Sequence, residues 1–535
     1  MLVAFAFQAW SGLLLLGLVI AWGISLRGAL RSFRTPVEPA AFFLNGQHQG
    51  SRATGFGLVV ASVSSVTLMG GTGLIYRDGI PAAVWLALVW IAASFALLLV
   101  GDLAREAAGA GAMTLAEAVT QRFAWPLLLR SLISLVSLLF TFVLMVIQLR
   151  ACGSLADVWL PGIFDIACVI AAGLCLTGAL SAGGATRVTR TELLGVAIML
   201  GLAAVALAAL SAAGVAGTLA SLQTVTPSGT EFHALLPTTM VSYAGLAVVA
   251  FGAAVLQPAV WQCCASSRTN ETLNVGAWIY VGLSLALAVS IALVGFAGRT
   301  IFPVRWGDAW QSLPNAAVSD SPDGFDQLFS ALVRGEFPGL FAGLGTLAAG
   351  VALLLGIVAC LGALEANLFA IGTLAVRDFY LPVFRRAASP SEQIRAARVA
   401  MAAVMTLGLG AVLFSHQQPE YSLWGMLSDV ALVASPLLLQ AVPAAIDMLF
   451  FQRGRGLALG LGMLAGVLLV LTETRLVELL SERIARLDLL LGYWARYRTI
   501  APLGLPALAV NVFLATIFSL IGGQDAPVEN RPAKN

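Results

Sequence analysis

The sequence predicts an all-α polytopic membrane protein of about thirteen transmembrane helices, and three observations carry that reading. The chain is 59% hydrophobic and only 10% charged, with a mean hydropathy of +0.92. Its apolar residues come in unbroken runs of about twenty, the length at which a helix crosses the hydrocarbon layer. Those runs do not alternate apolar with polar, which excludes a β-barrel. No soluble domain of 535 residues needs so much apolar sequence. A net charge of +2 is too small to suggest a nucleic-acid partner, and the lipid bilayer is the first partner the chain implies. The expected location is the cell inner (plasma) membrane, as a multi-pass protein.

Taken in order, residues 1–30 read as a peripheral transmembrane helix. No basic segment precedes its apolar run and no small-residue cleavage pattern follows, so it is not a cleaved signal. Arg27, Arg31 and Arg34 come after it, which puts the N-terminus outside. Further spans fall near 55–75, 81–101, 126–148, 163–182, 192–213, 237–261, 274–297, 340–375, 397–415 and 422–451. The loop 377–398, with Arg377, Arg385, Arg386, Arg395 and Arg398, reads as cytoplasmic. The loop 298–338, with Trp306 and Trp310, reads as an outer cap. Residues 456–522 hold two peripheral helices joined by an interfacial segment, whose Leu476–Leu491 portion has an amphipathic pattern. Gly456, Gly460, Gly462 and Gly466 have the spacing of close helix packing. Residues 523–535 form a polar tail with no room for a catalytic domain.

Two spans are interrupted. The run from Gly55 to Gly73 places Ser62, Ser64, Ser65 and Thr67 in mid-span, followed by Gly70-Gly71. The run 237–261 carries Gly245, Gly252 and then Gln257-Pro258. Interrupted spans that open corresponding halves of a chain point to a midplane site between inverted repeats. The repeats would be 54–214 and 236–452, five helices each. Unwound backbone is tolerated in a membrane only where it is buried in protein or lines a cavity, and there its carbonyls can hold a cation. Ordinary Ser/Gly helix packing is the alternative.

Six short motifs, in order, carry a resemblance. They are Phe42-Phe-Leu-Asn-Gly-Gln-His-Gln-Gly50, Tyr76-Arg-Asp-Gly79, Thr114-Leu-Ala-Glu117 with Arg122-Phe123, Gly183-Gly184 with Thr191-Glu192, Asp378-Phe-Tyr380 and Ser435-Pro436. At this spacing the chain resembles the sodium:solute symporter family over roughly residues 40–452. The resemblance implies a LeuT-like 5+5 inverted-repeat core with an extra first helix, and secondary active transport by alternating access.

The resemblance also implies site residues. A sodium site would take carbonyls of Val60, Val63 and Ala359 with hydroxyls at positions 362 and 363. Here those positions are Gly362 and Ala363, and Ala366 replaces a further Ser. A bare monovalent cation needs about five or six hard oxygens, by analogy with other hard ions, so the site is degenerate. The implied solute contacts are Ser62, Thr67, Leu86, Leu256, Gln257 and Ser428, with Trp85, Trp424 and Glu192 as gating residues and Gln262 where an Arg is usual. This set is too small and too apolar to pair the hydroxyls of a polyol, each of which would cost about 1–3 kcal/mol if left unpaired. A monocarboxylate or an amino acid fits better.

Glu365 lies twelve residues before Arg377, roughly 18 Å along a helix and near the bilayer midplane. Three readings stay open for it: a proton-binding carboxylate, a ligand in a rearranged sodium site, or a structural group bonded to Asn367 or to a serine of the 55–75 span. Asp429 matches an acid beside the family's substrate helix, while Asp165 and Asp447 are expected at the membrane interface. The six cysteines read as buried small hydrophobes, and His48, His233 and His416 are too scattered for a metal. No cofactor is implied beyond Na+ or H+ as coupling ion, and no nucleophile–base pair suggests an enzyme. The competing class is a solute-sensing module of the same fold acting on a separate signalling partner.

Overall fold

The computed structural model describes residues 38–123, 126–181, 251–301, 344–417, 434–451, 454–472 and 504–522, with Gly195, Ala206 and Val248. Among these residues there is no strand; one isolated bridge joins Gln49 to Ser267. The helices are α1 (Pro39–Leu44), α2 (Ser51–Ser62), α3 (Gly71–Asp78), α4 (Ile80–Gly109), α5 (Leu115–Arg122), α6 (Leu127–Trp159), α7 (Phe164–Ser181), α8 (Pro258–Ala265), α9 (Asn270–Ile301), α10 (Leu344–Leu374), α11 (Pro390–Gln417), α12 (Val442–Ile446), α13 (Gly456–Thr472) and α14 (Leu505–Gly522). Six helical stretches are long and apolar enough to cross a membrane, or seven if the bent pair α2–α3 is one span. Shorter apolar helices lie at Phe164–Leu180, Gly456–Leu471 and Leu505–Ile521. The expected helix 5–26, most of 192–250, residues 302–338 of the outer loop, residues 422–433, the interfacial segment and the tail lie outside the described residues.

Local chemistry sets the ends of several elements. Pro81 and Pro258 open α4 and α8, where a missing N–H is harmless. Gly79, at φ 77°, makes the turn from α3 into α4, a conformation that favours glycine. Thr114 caps α5 by accepting from the Glu117 N–H at 3.1 Å, and the Glu117 carboxylate accepts from Met113 N–H at 2.7 Å.

Sequence reasoning erred at two boundaries. The helix ending at Leu374 continues as a wider π-type turn, Ala375–Phe384, because Pro382 removes one backbone donor without ending the helix. With α11 starting at Pro390, the cytoplasmic loop expected over 377–398 shrinks to residues 385–389. Asp447 is buried within the protein and accepts from Gly454 N–H at 3.0 Å. Asp165, by contrast, is exposed and pairs with His416 at 2.9 Å.

The helices sort into two groups. α2, α3, α4, α8 and α9 pack on one another as a bundle; α6, α7, α10 and α11 form a second group with α10 laid along α6. α13 and α14 pair outside and rest on α6. Gly462 of α13 meets the Asn511 backbone oxygen, where an added Cβ would sit 2.5 Å away, which accounts for the glycine spacing. Inside the bundle, α9 grips both halves of the bent pair. A Cβ on Gly276 would lie 2.8 Å from the Thr54 side chain of α2, and one on Gly295 would lie 2.7 Å from Ile75 of α3.

Gly276→Leu is therefore expected to push α9 off α2 and to destabilise the protein by about 1–3 kcal/mol, the usual cost of overpacking. Thermal melting of the purified protein in detergent measures it; an unchanged midpoint would contradict the close approach.

Candidate functional site at the crossing of two broken helices

The first break falls at Val63–Ser64. α2 ends at Ser62, Val63 is extended (φ −80°, ψ 114°), and the chain resumes through a π-type turn, Val66–Gly70, into α3. The two halves are bent by 65°. The Gly70-Gly71 pair, which sequence reasoning took as part of the interruption, is helical. The second break is at Gln257, whose extended conformation (φ −54°, ψ 127°) follows from Pro258, since proline disfavours helical geometry in the residue before it.

A broken helix leaves backbone groups without helical partners, and side-chain amides supply them here. Ser65 N–H donates to Gln148 Oε1 at 2.8 Å, from a fully buried glutamine of α6. Ala61 O accepts from Gln257 Nε2 at 3.0 Å. The same Nε2 lies 3.4 Å from Asn367 Oδ1 on α10, and Asn367 Nδ2 donates to Ala363 O at 2.8 Å. Within the first break, Thr67 and Leu68 N–H both bond Ser64 O at 3.0 Å, and the Thr67 hydroxyl points to Ser62 O at 3.4 Å. The buried Tyr280 lies beside Ser62 and Ser284.

The crossing thus gathers α2, the Gln257 break and α10. Val60 and Val63 are buried on the α2 side. Ala359 and Ala363, both 0% exposed, and Asn367 follow one another at i, i+4 and i+8 on one stripe of α10, and Gly362 is buried beside them. Glu365 is not on that stripe. Two residues beyond Ala363 is about 200° around a helix, so Glu365 shares the face of Gly372, seven residues on, which packs against Met401 of α11. It is half-buried there. Glu365 therefore lies on a different face of α10 from Asn367, because residues two apart on a helix do not face each other.

Leu86 of α4 faces Gly71 at the start of α3, and half-buried Trp85 packs against the core. Leu256 lines a small cavity with Met113, Leu115, Trp261, Gln262 and Thr373, with space for about one water molecule. Gln262 Nε2 donates to Thr373 Oγ1 across it, linking α8 to α10. Ser428, Trp424, Glu192 and Asp429 lie outside the described residues.

Two motifs that are far apart in sequence meet below this cavity. Thr114 Oγ1 donates to Asp378 Oδ1 at 2.7 Å, and Glu117 pairs with Arg377 at 2.8 Å. Arg377 also donates to Gly111 O at 2.9 Å, and Arg130 donates to Arg377 O at 3.2 Å. Gln148, Asn367 and Thr373 were not among the residues assigned to the site from sequence. The available signal was an amide or hydroxyl inside an apolar run, which in a membrane marks a helix contact or a site.

The sodium:solute symporter family profile matches residues 42–444. The chain belongs to that family. No curated protein matches it in sequence. Among solved structures it is similar to a Na+-coupled sialic acid symporter in a substrate-bound, outward-open state, at 14% identity and TM-score 0.72, covering 98% of this chain and 99% of that one. It is also similar to MhsT in complex with L-phenylalanine, at 12% identity and TM-score 0.53 over 73% and 88% of the two chains. A manganese transporter variant from Eremococcus coleocola gives 15% identity and TM-score 0.50 over 91% and 97%. At these identities the likeness shows the fold, which is LeuT-like. The family is one of membrane transporters and not of enzymes, so this member is a multi-pass cation-coupled symporter in class.

In this symporter Gln148→Leu would leave the Ser65 N–H without its acceptor, at about 1–3 kcal/mol. The melting midpoint should fall accordingly, and a neutral result would mean that the N–H is satisfied elsewhere. Thr114→Val removes both the α5 cap and the bond to Asp378 and is expected to cost about 1 kcal/mol or more in the same assay.

Proposed function

We propose that this symporter carries a small organic solute with one charged or polar end, a monocarboxylate or an amino acid, across the inner membrane by alternating access. The observation that carries the reading is the meeting of the two breaks at the seam between the helix groups. Motion of α2, α4, α8 and α9 against α6, α7, α10 and α11 would open such a seam to one side and then the other. The polar groups there are few and small: Ser62, Thr67, Gln257 and Asn367, beside apolar Leu86 and Leu256. That set can orient one polar end and leaves most of a solute's contact apolar. The coupling ion is sodium or a proton. Glu365, on the far face of α10, is assigned a structural role.

Counterflow of labelled monocarboxylates and amino acids in proteoliposomes, with and without sodium, tests the reading. Exchange of at least one such solute is expected, and failure of all of them would favour a sensing module. With a solute in hand, Thr67→Val should weaken its apparent affinity about 5- to 150-fold, the equivalent of about 1–3 kcal/mol. Glu365→Gln is expected to leave the ion dependence of uptake unchanged; a lost or altered dependence would return that carboxylate to the ion path.

A further inference from the structure

We propose that Gln257 and Asn367 form an amide clasp that takes the place of a cation between α2 and α10, so that this crossing binds no sodium and the coupling cation binds elsewhere in the symporter. The inference rests on the reading of the chain as a carrier with a moving bundle.

Unwound carbonyls at a membrane midplane attract positive charge, and in carriers of this architecture they hold the coupling cation. Here Ala61 O, in the last turn of α2 between Val60 and Val63, already receives an N–H from Gln257, and Asn367 turns its own NH2 one turn back along α10 to Ala363 O. A carbonyl can only accept, so each fixes which end of its amide points inward. The result is a directed chain from Ala61 O, through the Gln257 NH2 and the Asn367 Oδ1, to Ala363 O. A cation seated there would meet two electropositive NH2 groups.

The remaining ligand positions agree. Gly362 and Ala363 offer no hydroxyl, and Ala359 and Ala363 are completely buried. A hard cation would fall well short of its usual oxygen count. The clasp, by contrast, ties the bundle to the second helix group with protein atoms alone. It also differs from an ion in a testable way, because it does not depend on the salt present.

The test needs neither solute nor transport, so its failure is separate from a failure of counterflow. Melting midpoints of the purified protein are compared in sodium chloride and choline chloride for wild type, Gln257→Ala and Asn367→Ala, alongside equilibrium binding of radioactive sodium. The expected result is either no sodium response or the same response in all three, as binding elsewhere would give. A sodium-induced rise, or saturable sodium binding, present in wild type and lost in either variant would overturn the proposal. Each single substitution should lower the midpoint by about 2 °C, and the double variant should fall no further than the worse single one. Additive losses would show that the two amides do not act together and would also overturn it. Should the alanine variants fail to fold, Gln257→Met and Asn367→Leu preserve volume and carry the same comparisons.

Discussion

A backbone N–H or carbonyl left unpaired in the hydrocarbon costs several kcal/mol, and the structure is organised around meeting that demand at two places where helices are broken. An unbroken helix satisfies itself. This chain breaks one helix at Val63–Ser64 and another at Gln257, and it must recruit partners from other elements. Gln148 comes from α6 to Ser65 N–H and Gln257 from the opposite break to Ala61 O, while Asn367 of α10 accepts from Gln257 in turn. Each bond therefore does two things: it removes an unpaired group, and it fixes where one helix crosses another.

That constraint accounts for a row of side-chain amides along the seam between the two groups. Gln148–Ser65, Gln257–Asn367 and Gln262–Thr373 all join a helix of the bundle to a helix of the second group. Within each group, packing is by apolar and small residues, with Gly276 and Gly295 allowing α9 to approach at backbone distance. Hydrogen bonds that are short in reach and few in number suit a surface that must part and re-form, whereas interdigitated side chains suit bodies that stay whole.

Much of this was legible in the sequence, and the reasons are physical. Long apolar runs fixed the class, because only helices and closed barrels satisfy their backbone in lipid. The Gln257-Pro258 pair marked the second break because proline dictates the conformation before it. The first break was expected among Ser62, Ser64, Ser65 and Thr67 and at Gly70-Gly71; it falls at Val63–Ser64, and the glycine pair is helical, since glycine alone does not end a helix that is packed on both sides. Glu365 was the most conspicuous charge in its span, but distance along a helix gives its depth and not its face. Asn367, two residues on, faces the crossing. The meeting of Thr114-Leu-Ala-Glu117 with Arg377-Asp378 could not be read from spacing, because it joins residues more than 250 positions apart.

The grip of α9 on both sides of the first break has a further meaning for selectivity. With Gly276 seated on α2 and Gly295 on α3, the two half-helices and α9 form a splinted unit. The bend of 65° is then a fixed angle and not a joint. On the proposed reading, a solute at Ser62 and Thr67 would meet groups already in position and would spend little of its binding energy on ordering them. Such a mould would discriminate by shape, so that a solute one methylene too long would have to be admitted or refused as it is.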